Sequence, residues 1–149
     1  HFAAFSRDAK RLVTVSGDMA RVWDTGSWSQ SLAELRGHNE RINSAAFSPD
    51  GRFIVTTADR ENTALVWDAE TGAVQTGLFG DVNYGVSKAA FSPDGKSILV
   101  IGEDKTVRVY DCVMCGAWNE LIARARERFA RHARQMTPDE SKKFIRQTP

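Results

Sequence analysis

The 149-residue sequence predicts an all-β fold assembled from repeated four-stranded units. One marker, Ala-Phe-Ser followed by Arg-Asp or Pro-Asp-Gly, begins at residues 4, 46 and 90, with spacings of 42 and 44 residues. A second marker, Val-Trp-Asp or Val-Tyr-Asp, begins at residues 22, 66 and 109 and therefore has nearly the same period. Between the markers, short β-prone runs alternate with turn residues, as expected for antiparallel strands. A fixed period of this length indicates a repeat architecture.

The middle unit defines the strands most clearly. Residues 42–48 alternate in polarity and end at Pro49-Asp50-Gly51, a turn signal because Pro presets φ and Gly accepts a positive φ. Further strands are predicted at 53–57, 63–68 and 73–78, and the third unit repeats them at 86–92, 97–101 and 105–111. Four strands in about 43 residues is the size of one propeller blade. The sequence therefore predicts a partial β-propeller of three four-stranded blades.

Residues 1–116 resemble the WD-repeat β-propeller family, since Gly37-His38 and Trp67-Asp68 stand at the expected places around an Ala-Phe-Ser-Pro-Asp-Gly turn. The resemblance implies a buried hydrogen-bonded tetrad of His, Ser or Thr, Asp and Trp in each blade. For the second blade it implies the tetrad His38, Thr57, Asp59 and Trp67. For the first blade it implies Ser16, Asp18 and Trp23 without a histidine, and for the third Asp104 and Tyr110, with Gly102 at the hydroxyl position and Gly80-Asp81 replacing Gly-His.

Such a tetrad is expected to stabilise a blade, because a buried carboxylate is costly unless it is hydrogen-bonded. A hydroxyl beneath an indole within a sheet has no open cleft for a substrate, so a Ser-His-Asp type of catalysis is not expected. Elsewhere the sequence has no glycine-rich phosphate loop and no nucleophile that spacing places beside a base. We predict no catalytic residues, no cofactor and no enzymatic activity.

Three blades are too few for a closed ring, since propellers have about four to eight blades. Apolar faces at both ends of the array must then be covered. One interpretation is that the chain is the C-terminal piece of a longer polypeptide, which its start within a strand, at His1 instead of Met, favours. The other is that further copies or different partners supply the missing blades.

After Asp111 the pattern changes to a helical period. An amphipathic helix is predicted over residues 117–135, with Arg-rich polar faces, and a second short helix from Thr137-Pro138. We therefore predict two domains: three blades over 1–116, with net charge −3, and a basic helical tail over 117–149, with net charge +4, docked on the propeller. The tail and the preceding Cys-x-x-Cys-Gly resemble the ending of WD-repeat sensor regions in large bacterial multidomain proteins. The apolar stripe of the first helix comprises Trp118, Leu121, Ile122, Ala125 and Phe129.

The composition also bears on disulfides, metal sites and membrane spans. Two cysteines, Cys112 and Cys115, are too few for a disulfide framework, so reduced thiols in the cytoplasm are expected. Without a second Cys-x-x-Cys, a zinc site is not expected, and we predict no metal. No apolar run approaches the roughly 18 residues that a membrane span needs.

The predicted function is a non-catalytic protein-interaction or sensing module whose partner is a protein or the remaining blades of the same polypeptide. Two alternatives are a self-assembling structural unit and a nucleic-acid sensor using the Arg-rich helix, although Glu120 and Glu127 interrupt the basic run. In the family, partners usually dock on the loops between fourth and first strands and between second and third strands. The resemblance therefore implies a binding surface of Asn39, Glu40, Arg41, Asp81, Asn83 and Tyr84 from the first kind of loop, and Arg60 and Glu61 from the second.

Overall fold

The computed structural model describes residues 2–79 and 85–112, and these residues form eleven β-strands. The strands are β1 (Phe2–Phe5), β2 (Arg11–Ser16), β3 (Met19–Asp24), β4 (Ser27–Arg36), β5 (Ile42–Phe47), β6 (Phe53–Ala58), β7 (Thr63–Asp68), β8 (Val74–Phe79), β9 (Val86–Phe91), β10 (Ser97–Gly102) and β11 (Val107–Asp111). The predicted all-β fold is confirmed. The strand boundaries of the second unit lie within one residue of those expected.

The strands form three antiparallel sheets in which sequence neighbours pair. Blade 1 has the order β1-β2-β3-β4 and blade 2 the order β5-β6-β7-β8. Blade 3 contains β9, β10 and β11. Within the described residues, blade 3 thus shows three of the four strands that were predicted for each blade. The helical tail and the domain boundary at 116 lie outside the described residues and stay predictions.

The turn between the first two strands of each blade has the same hydrogen bonds. The hydroxyl of Ser48 donates to Asp50 Oδ1 at 2.5 Å, while the Phe53 N–H donates back to the Ser48 hydroxyl at 2.9 Å. Ser6 and Ser92 make the equivalent bonds in the other blades. Gly51 has φ 71°, and Ala9 takes the same left-handed conformation at φ 57°. Side-chain bonds within six residues explain why the turn motif could be identified from sequence.

The apolar core lies between the blades, because both clusters of buried residues join facing sides of adjacent sheets. The first cluster joins Val13 and Val22 of blade 1 to Ile54 and Trp67 of blade 2. The second joins residues of blade 2 to blade 3 and comprises Phe53, Val55, Ala64, Val66, Val86, Ala89, Ile98, Val100 and Cys112. Sheet-on-sheet packing of this kind is what stabilises a propeller.

Backbone hydrogen bonds also connect successive blades. The Ile42 N–H donates to the Gly17 carbonyl at 2.9 Å, and the Val86 N–H donates to the Glu61 carbonyl at 2.9 Å. Donors and acceptors of the two bonds are each separated by 44 residues in sequence. The loop between the second and third strands of one blade therefore holds the first strand of the next blade in a repeated geometry.

Candidate functional site

A hydrogen-bonded network occupies the centre of blade 2. Trp67 Nε1 donates to Thr56 Oγ1 at 2.7 Å, and Thr56 Oγ1 lies 2.7 Å from His38 Nε2. The other ring nitrogen, His38 Nδ1, lies 2.5 Å from Glu61 Oε2. Trp67, Thr56 and the His38 side chain are fully buried, whereas the Glu61 side chain is 16% exposed. The network thus runs from the buried core to a loop at the surface.

The donors and acceptors assign the protons of this network. An indole N–H can only donate and an ionised carboxylate can only accept, whereas a hydroxyl can do both. His38 Nδ1 therefore carries the proton that is donated to Glu61, and the Thr56 hydroxyl accepts from Trp67 Nε1 and also bonds to His38 Nε2. Every buried polar atom of the network has a partner, as buried polar groups require.

Glu61 connects the network to the loop between β4 and β5. Its Oε1 accepts the backbone N–H of Asn39 at 2.6 Å and that of Glu40 at 3.1 Å. Burial raises the pKa of Glu61, but the hydrogen bonds from His38, Asn39 and Glu40 together outweigh burial and hold that pKa below its ordinary value of 4.5. The ionised carboxylate is thus the form that organises the loop.

The structure differs from the predicted blade 2 tetrad at two positions. Thr57 donates its hydroxyl to Asn43 Oδ1 at 2.5 Å instead of bonding to His38. Asp59 accepts from Asn43 Nδ2 at 3.0 Å, and the same Asn43 amide reaches the Val86 carbonyl of blade 3 at 3.3 Å. Side chains alternate across a strand, so neighbouring residues point to opposite faces. Thr56 shares the face of Trp67, whereas Thr57 points toward blade 3.

In blade 1, too, the hydroxyl that bonds to the tryptophan is not the predicted one. Trp23 Nε1 donates to Thr14 Oγ1 at 2.9 Å, and Thr14 occupies the position of Thr56. The predicted Ser16 and Asp18 are instead exposed at the turn between β2 and β3. They lie beyond the part of the strand that faces the indole, and their assignment to a buried tetrad is wrong.

Blade 3 has an apolar residue where blades 1 and 2 have a hydroxyl. Val100, which is 2% exposed, corresponds to Thr56, so Gly102 does not occupy the hydroxyl position. Asp104 accepts hydrogen bonds from the backbone N–H and the hydroxyl of Thr106 within its own turn, at 2.9 and 2.6 Å. Tyr110 packs against the apolar cluster between blades 2 and 3. In place of the tetrad, Val100 and Tyr110 contribute apolar packing to this blade.

The predicted partner-binding residues fall into three groups. Asn39, Glu40 and Arg41 are exposed between β4 and β5, and Arg60 is exposed between β6 and β7 with φ 59°. Glu61, expected to face a partner, is directed instead toward His38 because its carboxylate satisfies that ring and two loop amides. Asp81, Asn83 and Tyr84 lie outside the described residues, as do the arginines of the tail. We call Asn39, Glu40, Arg41 and Arg60 the loop surface.

The cysteine prediction differs from the structure. Cys112, which is 8% exposed in the cluster between blades 2 and 3, is disulfide-bonded, whereas a reduced thiol was expected. A cysteine count bears on the compartment of a protein and not on whether two sulfurs come within bonding distance.

In residues 2–79 and 85–112, no group of three or more His, Cys, Asp or Glu side chains could hold a metal ion. Nor does that part of the chain contain a helix long and apolar enough to cross a membrane.

Comparison with known families decides the classification. The family described as "WD domain, G-beta repeat" matches residues 29–68 and 74–111, which together cover more than half of the chain. The chain belongs to the WD-repeat family. Each matched range ends at the Asp that follows Trp67 or Tyr110, as the repeat markers predict.

Curated relatives of this WD-repeat chain match only over short stretches. Ribosome assembly protein 4 of Chaetomium thermophilum is 38% identical over 61 residues, which are 40% of this chain and 12% of that protein. The protein of the same name from Saccharomyces cerevisiae is 37% identical over 57 residues, 38% of this chain and 11% of that protein. Denticleless protein homolog B of Xenopus laevis is 36% identical over 58 residues, 38% of this chain and 8% of that protein. The chain therefore spans about a tenth of the length of these relatives.

A solved propeller shows the same architecture. The crystal structure of the β-propeller domain of Cps50 (Swd1) from Myceliophteria thermophila superimposes with a TM-score of 0.65 at 19% sequence identity. The match covers 74% of this chain and 33% of that one. It confirms that the three sheets are arranged as propeller blades, and the WD-repeat chain corresponds to about a third of that domain.

The lowered pKa of Glu61 predicts how the stability of this WD-repeat chain depends on pH. Because the folded pKa lies below 4.5, the ionised carboxylate stabilises the fold above that pH, and this contribution is lost as pH falls through the folded pKa. Other carboxylates with lowered pKa values, such as Asp94 and Asp104, add to acid sensitivity. The difference between the wild type and Glu61→Gln isolates the Glu61 contribution.

We expect Glu61→Gln to unfold at a lower temperature at neutral pH and to lose less further stability than the wild type below about pH 4.5. Thermal unfolding followed by circular dichroism from pH 7 to pH 3 measures both effects. Glu70→Gln, which removes an exposed carboxyl in a turn, is the matched control. Parallel pH profiles for the wild type and Glu61→Gln would contradict the role of Glu61.

Proposed function

We propose that the chain is a non-catalytic interaction module that binds a protein partner through the loop surface of Asn39, Glu40, Arg41 and Arg60. The observation that carries the proposal is the anchoring of this loop. Glu61 holds the backbone of Asn39 and Glu40, and is itself held by the fully buried His38 ring. The side chains of the loop surface are exposed, while the backbone of Asn39 and Glu40 is held by hydrogen bonds.

A fixed loop binds with a smaller entropic penalty than a mobile one, because the bound conformation exists before the partner arrives. Arg41 and Arg60 supply the type of side chain that is enriched at the energetic centres of interfaces. Rigid scaffolds that present variable loops are a common way of building binding sites. Ribosome assembly protein 4, by its name, acts in the assembly of a multi-component particle, which supports a role in protein complexes for a similar chain.

The proposed setting is the C-terminal part of a propeller within a larger cytoplasmic protein of bacterial type. The short coverage of the curated relatives and of the solved propeller supports a larger ring. The bacterial assignment is supported by the resemblance of the tail sequence alone, since the relatives named above are eukaryotic.

The test uses affinity capture with quantitative mass spectrometry on the tagged chain. We expect proteins that bind the wild type to be lost, by tenfold or more, from the double variant Arg41→Ala/Arg60→Ala, because loss of an interface arginine removes about 1.4 kcal/mol or more. Arg7→Ala is the matched control, since Arg7 is exposed in the turn between β1 and β2, at the opposite end of the blade from the loop surface. A set of captured proteins that is the same for all three chains would refute the loop surface as the binding site.

A further inference from the structure

A pocket of about 270 Å³ opens at the end of the blades that lies opposite the loop surface. It is formed where the first strand of each of the three blades enters the repeated turn. Phe5, Phe47 and Phe91, which end these strands, contribute aromatic rings to its lining, and Pro49 and Pro93 contribute proline rings. We call this the turn pocket.

Arg7 is the one charged residue among the described residues that line the turn pocket. It stands where the turns of blades 2 and 3 have Pro49 and Pro93. The turn of blade 1 nevertheless keeps the hydrogen bonds of the other two, with the Ser6 hydroxyl donating to Asp8 at 2.7 Å. Arg7 is exposed and forms no hydrogen bond or ion pair with any residue that the structure describes. The turn therefore does not need the guanidinium, which is available to a ligand.

The acidic residues near the turn pocket are already engaged. In each of the three turns the aspartate accepts hydrogen bonds from a serine hydroxyl and a backbone N–H of its own turn. Residues 6–11, 48–52 and 92–96 contain five basic and three acidic residues, and so have a net charge of +2. Asp24 and Asp68, at the same end of blades 1 and 2, also accept N–H groups of their own turns and do not line the pocket. The turn pocket thus attracts a negatively charged group.

The size and the lining of the turn pocket indicate the kind of ligand. Sites for small molecules usually have about 300–1,000 Å³, so a pocket of about 270 Å³ suits one bulky side chain better than a cofactor. Aromatic rings also bind cations, but Arg7 would repel a cation here. An apolar or aromatic side chain therefore fits the phenylalanine rings, and a neighbouring carboxylate fits Arg7.

We propose that the turn pocket binds a segment of a partner protein in which a bulky apolar residue stands next to Asp or Glu. The apolar side chain enters between the phenylalanine rings, and the acidic side chain pairs with the Arg7 guanidinium. An apolar anchor in a pocket with a polar rim is the usual composition of the centre of a protein interface.

The turn pocket is separate from the loop surface. Arg41 precedes β5 and Phe47 ends it, so the two sites lie about 20 Å apart along that six-residue strand. Further blades of a larger ring would pack on the faces of the sheets, whereas this pocket lies at the ends of the strands. Proteins that bind the loop surface should therefore be retained by variants of the turn pocket, and each proposal can fail without the other.

The first experiment selects displayed random peptides on the immobilised 149-residue chain and sorts them by loss of binding to Arg7→Pro. This variant restores the turn of the other two blades, and because the Arg7 N–H bonds to no described residue, proline removes no such bond. We expect the sorted peptides to share a bulky apolar residue next to Asp or Glu. Sorted peptides without an acidic residue, or a selection in which Arg7→Pro affects no peptide, would overturn the proposal.

Fluorescence anisotropy with a sorted peptide then measures the contact itself. Arg7→Pro, and replacement of the peptide's acidic residue by its amide, should each weaken binding about fivefold, and together no further, because both remove the same ion pair. Phe5→Ala should weaken binding about tenfold by removing one ring of the pocket. Lys96→Ala is the matched control, since it removes one positive charge from the turn of blade 3 and Lys96 does not line the pocket. This control should bind as the wild type does.

Three results would contradict binding at the turn pocket. One is an additive loss for Arg7→Pro and the amide peptide, and another is a loss for Lys96→Ala as large as that for Arg7→Pro. The third is a loss of the peptide from Arg41→Ala/Arg60→Ala, which would place it on the loop surface. Circular dichroism establishes that each variant is folded.

Discussion

Replacing Gly72 with alanine is expected to lower the free energy of unfolding by about 3 kcal/mol, which is a large part of the stability of a small domain. Gly72 lies in the turn between β7 and β8 with φ 72°, a left-handed conformation that costs a residue with a Cβ about 1–2 kcal/mol. An added Cβ would also lie 2.7 Å from the Glu34 carbonyl oxygen and 3.3 Å from the Ala33 Cβ. Both neighbours belong to β4 of blade 1, so the clash opposes the packing of one blade on the next.

Glu34 is opposite Arg21 in the pairing of β3 with β4, so a shift of its backbone would disturb that pairing. Overpacking of this kind adds about 1–3 kcal/mol. Urea unfolding of Gly72→Ala and Gly17→Ala separates the two contributions. Gly17 has nearly the same φ of 68° but no atom within 4 Å of an added Cβ, so Gly17→Ala should show the conformational penalty alone. Equal losses for the two variants would show that the contact between blades contributes nothing.

Replacing Thr56 with valine is expected to lower the free energy of unfolding by about 3 kcal/mol, because the shape of the side chain is preserved while two buried groups lose their partner. The Trp67 indole N–H and His38 Nε2 both bond to the Thr56 hydroxyl, and all three groups are buried. An unsatisfied buried polar group costs about 1–3 kcal/mol. Denaturant unfolding, with near-ultraviolet circular dichroism as a probe of the Trp67 environment, measures the loss.

Two threonines of the same chain serve as comparisons. Thr14→Val removes the partner of the half-buried Trp23 alone and should cost about 1 kcal/mol. Thr57→Val removes one bond to Asn43 and should leave the Trp67 signal unchanged. If Thr57→Val lowered the free energy of unfolding more than Thr56→Val and changed the Trp67 signal, the result would support the tetrad that the repeat pattern predicts and contradict the observed network.

The predicted tetrad combined correct and incorrect residues for a single physical reason. Trp67 and His38 stand at positions marked by their neighbours, Trp67 before Asp68 and His38 after Gly37. Thr56 and Thr57 are adjacent and are both fully buried, so neither composition nor burial distinguishes them. The choice depends on which face of β6 meets blade 1, and a shift of one residue exchanges the two faces.

Glu61 could not be identified from the repeat alone. The loop after β6 contains two acids, Asp59 and Glu61, and the repeat marker favours the first. The longer side chain of Glu61 reaches His38 and the amides of Asn39 and Glu40, which lie 21 to 23 residues earlier in the chain. The useful signal in the sequence is a spacing: Asp59 precedes Trp67 by eight residues, whereas Asp18 precedes Trp23 by five, and the longer turn moves the second acid toward the loop.

The sequence by itself determined the all-β class, the period of the blades, the turns and, to within two residues, the boundaries of the strands β5 to β11. These features depend on interactions within a few residues, such as the Ser48–Asp50 bond, and on strand periodicity. Both can be recognised in the amino-acid sequence. Only the tertiary structure decided which threonine and which acid complete the network, and that Leu99, Val107 and Val109 of blade 3 are exposed although their equivalents in blades 1 and 2 are buried. Those outcomes depend on contacts within blade 2 and between blades, between residues 18 to 44 positions apart in sequence, where the path of a loop and the orientation of a strand determine which side chains meet.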